Sequence, residues 1–306
     1  MKIGAVTHKL KPLPHQNHFI TPERLNINLI NLINLINLIN LINPSTSSTL
    51  NISPPQPSQQ PSAMLLKTRG IVIRTVKYGE TSVITDIFTE EKGLHSFIAG
   101  SVRAAKARMP YNLFQPMTVV ELVAYFRDEP NALNRLKEVR AAEVWGKIPF
   151  DIRRGAVALF MAEVCKKCIQ EGSEDRDLMH FLLENLRWLD TTPHPIANLH
   201  LHFLLQLSGF LGFQPEGNAE TDAPVFFDLK EGVFSREEPL HADSLRAEPS
   251  AQMLALLHTP LEQCHEVKMT RADRKLLLQK LLQFYQLHVP GFQGINTPDI
   301  LEMILG

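Results

Sequence analysis

The stretch Gly70-Ile-Val-Ile-Arg-Thr-Val76 is the first of several short apolar runs in which hydrophobic and polar residues alternate. Alternation with a period of two is the pattern of a β-strand that buries one face. Four runs of the same kind follow, at residues 82–88, 94–99, 117–126 and 133–139. Turn residues separate them, including Gly79, Gly93 and Pro130. Five closely spaced strands predict a small barrel such as an OB-fold over residues 64–145, with a small open sandwich as the alternative.

The spacing of apolar residues changes beyond residue 149. Ala156, Leu159, Phe160 and Val164 recur at helical intervals, and further helices are predicted at about 176–190, 195–211, 249–258 and 270–288. Strand-like runs at 225–227 and 232–234 predict a small hairpin inserted at about 213–240. The predicted fold class is therefore α+β: an amino-terminal OB-fold barrel, then a mostly α-helical domain over residues 146–306.

Residues 1–63 differ in composition from the rest of the chain. An Asn-Leu-Ile repeat spans residues 28–43, and a Ser, Thr, Pro and Gln-rich stretch runs on to Ser62. A period of three forms neither a helical nor a strand face, and six asparagines in this repeat argue against a membrane span. We expect a disordered low-complexity tail, or a start codon set upstream of a true start at Met64.

The formal net charge of −1 conceals an asymmetry. Residues 1–63, 64–145 and 146–306 carry net charges of +3, +3 and −7. Polyanions are therefore expected to contact the first part of the chain. Three scattered cysteines favour a reducing compartment, and we expect a cytoplasmic protein.

The segment between the third and fourth predicted strands is basic. It contains Arg103, Lys106 and Arg108 and no acidic residue. Single-strand binders combine such charges with aromatic platforms, which Tyr78, Phe97, Tyr111 and Phe114 could supply. Three cations in or directly beside the first predicted strand extend the candidate DNA-binding set: Arg69, Arg74 and Lys77. The alternative interpretation is a solvated loop beside core aromatics.

Candidate metal and catalytic groups are sparse. Cys165 and Cys168 share a helix face but need two further ligands, for which Cys264 and His265 are the available residues. His200 and His202 diverge on their helix and cannot chelate one ion. Phosphate-binding, dinucleotide-binding and hydrolase motifs are lacking in the sequence. We predict a binding protein with no cofactor or metal, while a nuclease built from dispersed carboxylates stays open.

Several of these segments together resemble the RecO family of recombination mediators. They are Gly70–Ser82, Thr89–His95, the basic loop, Leu113-Phe-Gln-Pro-Met117 and, farther on, residues 202–215. The resemblance implies an OB-fold that binds single- and double-stranded DNA, promotes strand annealing and helps to load recombinase. Its implied partners are the single-strand-binding protein SSB, RecR and, indirectly, RecA, in a bacterial cytoplasm at the nucleoid. Many relatives carry a four-cysteine zinc module where residues 213–240 here contain no cysteine.

Three basic clusters of the helical domain are candidates for holding an acidic SSB tail. Such a tail, as the resemblance implies, ends in apolar residues and requires a cation beside an apolar pocket. The clusters are Arg153 with Arg154, Lys166 with Lys167, and Arg271 with Arg274 and Lys275. A generic OB-fold binder without mediator activity is the alternative function.

Overall fold

The computed structural model describes residues 64–305, apart from 105–106, 130, 173 and 218–224. The predicted tail of residues 1–63 lies outside the described residues. Two parts of one compact unit make up the described chain, a β-barrel and a helical body.

The predicted five-stranded barrel is confirmed. Its strands are β1 (Met64–Tyr78), β2 (Ser82–Thr89), β3 (Gly93–Ala99), β4 (Val119–Phe126) and β5 (Asn134–Ala141). They close in the order β1-β2-β3-β5-β4, and all neighbours are antiparallel except β3 and β5. Gly79 and Gly93 adopt positive φ angles of 59° and 66° in the turns before β2 and β3, a conformation that favours glycine.

Strand β1 belongs to both halves of the barrel. Its first part pairs with β4 from Met64 to Ile71, and its second part pairs with β2 from Gly70 to Tyr78. The two parts overlap at Gly70 and Ile71. A Cβ added at Gly70 would lie 2.6 Å from the Ile87 side chain. Only glycine allows β1 and β2 to approach so closely at this bend.

The helical body contains α1 (Ile152–Cys168), α2 (Arg176–Thr191), α3 (Leu199–Phe210), α4 (Ala247–His258), α5 (Arg271–His288) and α6 (Thr297–Leu305). The first five confirm the predicted helices, and α6 was not predicted. Thr270 and Asp273 form the reciprocal capping box at the start of α5. None of the helices that the structure describes has both the length and the hydrophobicity of a membrane-spanning segment.

The inserted segment forms a small sheet. The predicted hairpin is present as β6 (Phe226–Asp228) and β7 (Val233–Ser235), and a third strand that was not predicted, β8 (Ser244–Leu245), pairs with the other edge of β6.

Two hydrophobic cores organise these elements. One fills the barrel, and the other joins the helices to outward-facing barrel residues such as Ile71, Ile73 and Phe88. Burial of Ile71 and Phe88, each with no exposed surface, holds the helical body against β1 and β2.

Candidate nucleic-acid interface

Arg103 joins the loop between β3 and β4 to the turn between β1 and β2. Its backbone N–H donates to the carbonyl of Thr81 at 3.2 Å. Its guanidinium donates to the carbonyl of Gly79 at 2.9 Å and also to that of Glu80. Arg103 is therefore fixed against the end of β1.

This end of the barrel presents further cations and an exposed aromatic ring. Tyr78 is 52% exposed, and Lys77 and Arg108 are exposed without an ion pair to another described residue. Glu80 adds one exposed carboxylate in the turn. Lys106, the third predicted loop cation, lies outside the described residues. We call the surface formed by Lys77, Tyr78, Arg103 and Arg108 the loop surface.

Two of the four predicted aromatic platforms are wrong. Phe97 and Phe114 are buried in the barrel core and cannot stack on a base. Tyr111 is half-buried against the same core, and burial raises its pKa while the nearby charge of Arg103 opposes that rise. Tyr78 alone among the four is exposed.

The other two predicted DNA-binding cations of β1, Arg69 and Arg74, are engaged with carboxylates. Arg69 pairs with Glu143, which also binds Arg187 of α2 at 2.6 Å. The Arg187 hydrogen bond is the main cause of a lowered Glu143 pKa. Arg74 lies 3.8 Å from Asp86 and is half-exposed. Arg69 therefore helps to connect the barrel to α2, whereas part of the Arg74 side chain stays exposed and can contact a ligand.

The first predicted partner-binding cluster divides into an exposed and a buried residue. Arg153 is exposed, but Arg154 is only 9% exposed. The Arg154 guanidinium donates to the carbonyls of Leu189 and Thr192 at the end of α2, and it pairs with Asp151 at 3.3 Å. Its charge is thus used to satisfy carbonyls that the helix end leaves without partners.

The second cluster, Lys166 and Lys167, lies at the carboxyl end of α1 near the barrel. Partial desolvation lowers the pKa of Lys166, and the charges of Arg74 and Lys167 lower it further. Proximity of Lys166 to Arg74 makes this cluster part of a basic junction between α1 and β1.

The third cluster lines a groove of about 110 Å³ between α5 and α6, which we call the tail groove. Its basic side chains are Arg271, Arg274 and Lys275. Lys275 pairs with Glu302 at 2.6 Å, and Arg271 donates to the Glu302 carbonyl at 3.2 Å. The apolar walls come from both helices: Leu278, Leu282, Leu301 and Leu305.

The cysteines are buried thiols. Burial raises the pKa of Cys168 and of Cys264 to about 12, and it also raises the pKa of Cys165 well above its ordinary value. Within the described ranges, no cluster of three or more His, Cys, Asp or Glu side chains could hold a metal ion. His200 and His202 are also buried, and His202 bonds the Thr259 carbonyl at 2.9 Å.

Comparison with known proteins gives two adjacent family matches. Residues 64–145 match the family model for the recombination protein O N-terminal region, and residues 149–293 match that for its C-terminal region. The chain belongs to the RecO family of DNA repair proteins. The resemblance seen in the barrel strands and the basic loop is thereby confirmed.

Individual relatives agree with this family assignment. The DNA repair protein RecO of Bacteroides fragilis is 36% identical over 241 residues, which cover 78% of this chain and 98% of the relative. The Phocaeicola vulgatus protein of that name is 34% identical over 239 residues, with the same coverage. The Flavobacterium psychrophilum protein is 31% identical over 243 residues, 79% of this chain and 99% of the relative.

Proposed function

We propose that this RecO-family protein is a non-catalytic mediator of DNA repair and homologous recombination in the bacterial cytoplasm, associated with the nucleoid. It binds single-stranded DNA, also contacts double-stranded DNA, and promotes annealing of complementary strands. The observation that carries the proposal is the loop surface, where Arg103 holds two segments together beside exposed cations and an exposed tyrosine.

Strand annealing requires no catalytic group. Two single strands repel each other through their phosphates, and bound cations reduce that repulsion by replacing condensed counterions. Tyr78 offers a ring on which a base can stack, an interaction that tolerates any sequence. The cations of the loop surface, Lys77, Arg103 and Arg108, contact phosphates, and Lys106 of the same loop is included in the proposal.

Binding of a labelled oligonucleotide across a range of salt concentrations tests this part. We expect Arg108→Ala to weaken binding and to flatten the log–log salt dependence by about 0.7 for one phosphate contact. Arg153→Ala, which removes an exposed cation far along the chain on α1, is the matched control. If both variants show the same salt slope as the wild type, the proposal that the loop surface contacts phosphates is contradicted.

The tail groove is the site that we propose for the SSB carboxyl-terminal tail. It combines four leucine side chains with three cations and with the carboxylates Asp299 and Glu302. Because Glu302 pairs with Lys275, Arg271 and Arg274 supply the charge for an acidic peptide that ends in apolar residues. Arg274 is half-buried, and its guanidinium donates to the Met269 carbonyl at 2.8 Å, so its charge is held at the groove. A fixed guanidinium loses little freedom when it binds a carboxylate.

A synthetic peptide with the sequence of an SSB tail tests this site by fluorescence anisotropy. We expect Arg274→Glu to abolish peptide binding and to leave naked-DNA binding nearly unchanged. Charge reversal at Arg153 and at Lys166 with Lys167 tests the other two sequence-predicted clusters. If one of these variants loses peptide binding while Arg274→Glu still binds the peptide, the binding site is at that other cluster and not at the tail groove.

RecR and, through it, RecA complete the proposed set of partners, and family membership is what supports them. A generic single-strand binder would bind DNA without accelerating the annealing of SSB-coated strands. Magnesium-dependent cleavage of DNA would instead indicate a nuclease.

A further inference from the structure

Tyr125 is an exposed aromatic residue on a part of the barrel that the loop surface does not include. It lies on β4 and is 45% exposed. In the sheet register it stands opposite Leu65 of β1 on one side and Arg135 of β5 on the other. Leu65 is 56% exposed, and Arg135 is exposed as well. A tyrosine, a leucine and an arginine thus form one row across three strands.

The alternation of the strands places this row on the outer face. Leu122, Ala124 and Phe126 of β4 point into the barrel core, so the residues between them point outward. Three further exposed cations lie on or beside the same three strands: Lys67, Arg127 and Lys137. We call the surface around Tyr125, Leu65, Arg135 and Lys67 the strand face.

Charge on the strand face is mostly unpaired. Among the described residues, Lys67, Arg135 and Lys137 make no ion pair. Glu138 is the exposed carboxylate opposite Val123, two residues from Tyr125. Arg140 and Glu121, farther along the strands, pair with each other. Asp128 and Glu129, which follow Arg127 directly, are exposed carboxylates as well. The four cations Lys67, Arg127, Arg135 and Lys137 therefore exceed the three carboxylates Glu138, Asp128 and Glu129 by one.

The strand face and the loop surface lie at opposite ends of β1. Leu65 and Tyr78 are thirteen residues apart, which corresponds to a path of about 43 Å along a strand. The bulge between Val72 and Arg74 bends that path, and each end pairs with a different neighbouring strand. One bound strand that contacts Tyr78 does not need to contact Tyr125.

We propose that the strand face is a second binding surface for single-stranded DNA, so that one molecule holds two strands at once. A base stacks on Tyr125 beside the apolar Leu65, and phosphates contact Arg135 and Lys67. The combination of exposed ring and unpaired cations is what selects a nucleic acid over an apolar protein segment. This inference rests on the proposed function, because annealing requires two strands to be brought together.

Native mass spectrometry with two non-complementary oligonucleotides of different mass tests the inference, because it counts strands per protein chain. We expect the wild type to carry two strands, one at each surface. Tyr125→Ala combined with Arg135→Ala should weaken the second binding event about tenfold or more and leave the first unchanged. Arg140→Ala, which removes a cation already paired on the same strands, is the matched control and should retain both strands.

The possible outcomes separate the two proposals. Two results would contradict the proposal that the strand face binds DNA. One is a wild-type chain that binds a single strand only, and the other is a double variant that still binds two strands with unchanged affinity. A wild-type chain that binds no strand at all would overturn the proposed function as well. Circular dichroism of the double variant establishes that it is folded, since both altered side chains are exposed.

Discussion

The guanidinium of Arg103 donates a 2.9 Å hydrogen bond to the carbonyl oxygen of Gly79, across a loop and a turn that are far apart in sequence. A second bond from the same group reaches the neighbouring carbonyl of Glu80. Arg103 therefore has two roles in our account: it adds charge to the loop surface, and it fixes the loop against the end of β1.

These two roles of Arg103 can be separated by Arg103→Lys. Lysine keeps the charge but lacks the planar fork that reaches two carbonyls at once. We expect affinity for a single-stranded oligonucleotide to fall about fivefold while the salt slope stays that of the wild type. Wild-type affinity in this variant would instead show that position 103 contributes mainly through its charge. The readout is the same titration proposed for Arg108→Ala.

Arg154→Ala should destabilise the protein, although sequence suggested a partner-binding role. Its removal leaves the carbonyls of Leu189 and Thr192 buried without donors, at an expected cost of about 2–3 kcal/mol in the free energy of unfolding. Arg153→Ala, next to it and exposed, should change that free energy by less than about 0.5 kcal/mol. Urea unfolding of both variants checks this, and equal midpoints would contradict the structural role.

Glu163→Ala should weaken binding of the SSB-tail peptide in the tail groove, although Glu163 does not line the groove. The Glu163 carboxylate accepts from the Thr297 hydroxyl at 2.6 Å and from the backbone N–H groups of Asn296 and Thr297 at 2.9 Å. These bonds hold the start of α6, which forms one wall of the groove. We expect several-fold weaker binding of the SSB-tail peptide and unchanged binding of DNA. Unchanged peptide affinity would mean that α6 is held well enough by its apolar contacts.

Local patterns predicted the regular elements, and two omissions have different causes. Strand β8 is two residues long, too short for any period to be visible. Helix α6 could have been found, because Pro298 and Asp299 near its start precede the apolar residues Ile300, Leu301 and Ile304 at helical spacing.

The candidate sites depended on contacts that sequence does not display. The partners of Arg154 lie 35 and 38 residues away, so its burial could not be inferred from a basic pair at a helix start. From sequence alone, Phe97 and Phe114 fitted either a core position or a stacking platform. The closed barrel places both side chains in its core. The alternation of β4 alone predicts that Tyr125 lies on the outer face, but Tyr125 was not among the predicted site residues.

His200 should make stability depend on pH. Burial lowers its pKa to about 3 from the ordinary 6.5, with a smaller effect from the charge of Arg274. Below about pH 6.5 the unfolded chain takes up a proton that the folded chain refuses, so stability is full above pH 6.5 and falls as the pH decreases toward 3. His200→Leu should reduce this loss by up to about 1.4 kcal/mol per pH unit. Urea unfolding at pH 7 and pH 5 measures it, and parallel losses in both proteins would contradict the assignment.

Purified protein should contain well under one zinc ion per chain. The region of the family zinc module has no cysteine, and burial keeps the Cys168 and Cys264 thiols protonated, with pKa values of about 12. Elemental analysis after dialysis, with a Cys165→Ser, Cys168→Ser variant as the control, checks the prediction. Stoichiometric zinc that disappears in the variant would implicate the helical cysteine pair.

The central claim is that the loop surface and the tail groove act together on SSB-coated DNA. The most direct measurement is the annealing rate of complementary fluorescent strands that are both covered by SSB. We predict that the wild type accelerates annealing over the spontaneous rate and that Arg274→Glu loses this acceleration while still annealing naked strands. A wild-type rate equal to the spontaneous rate would contradict the account.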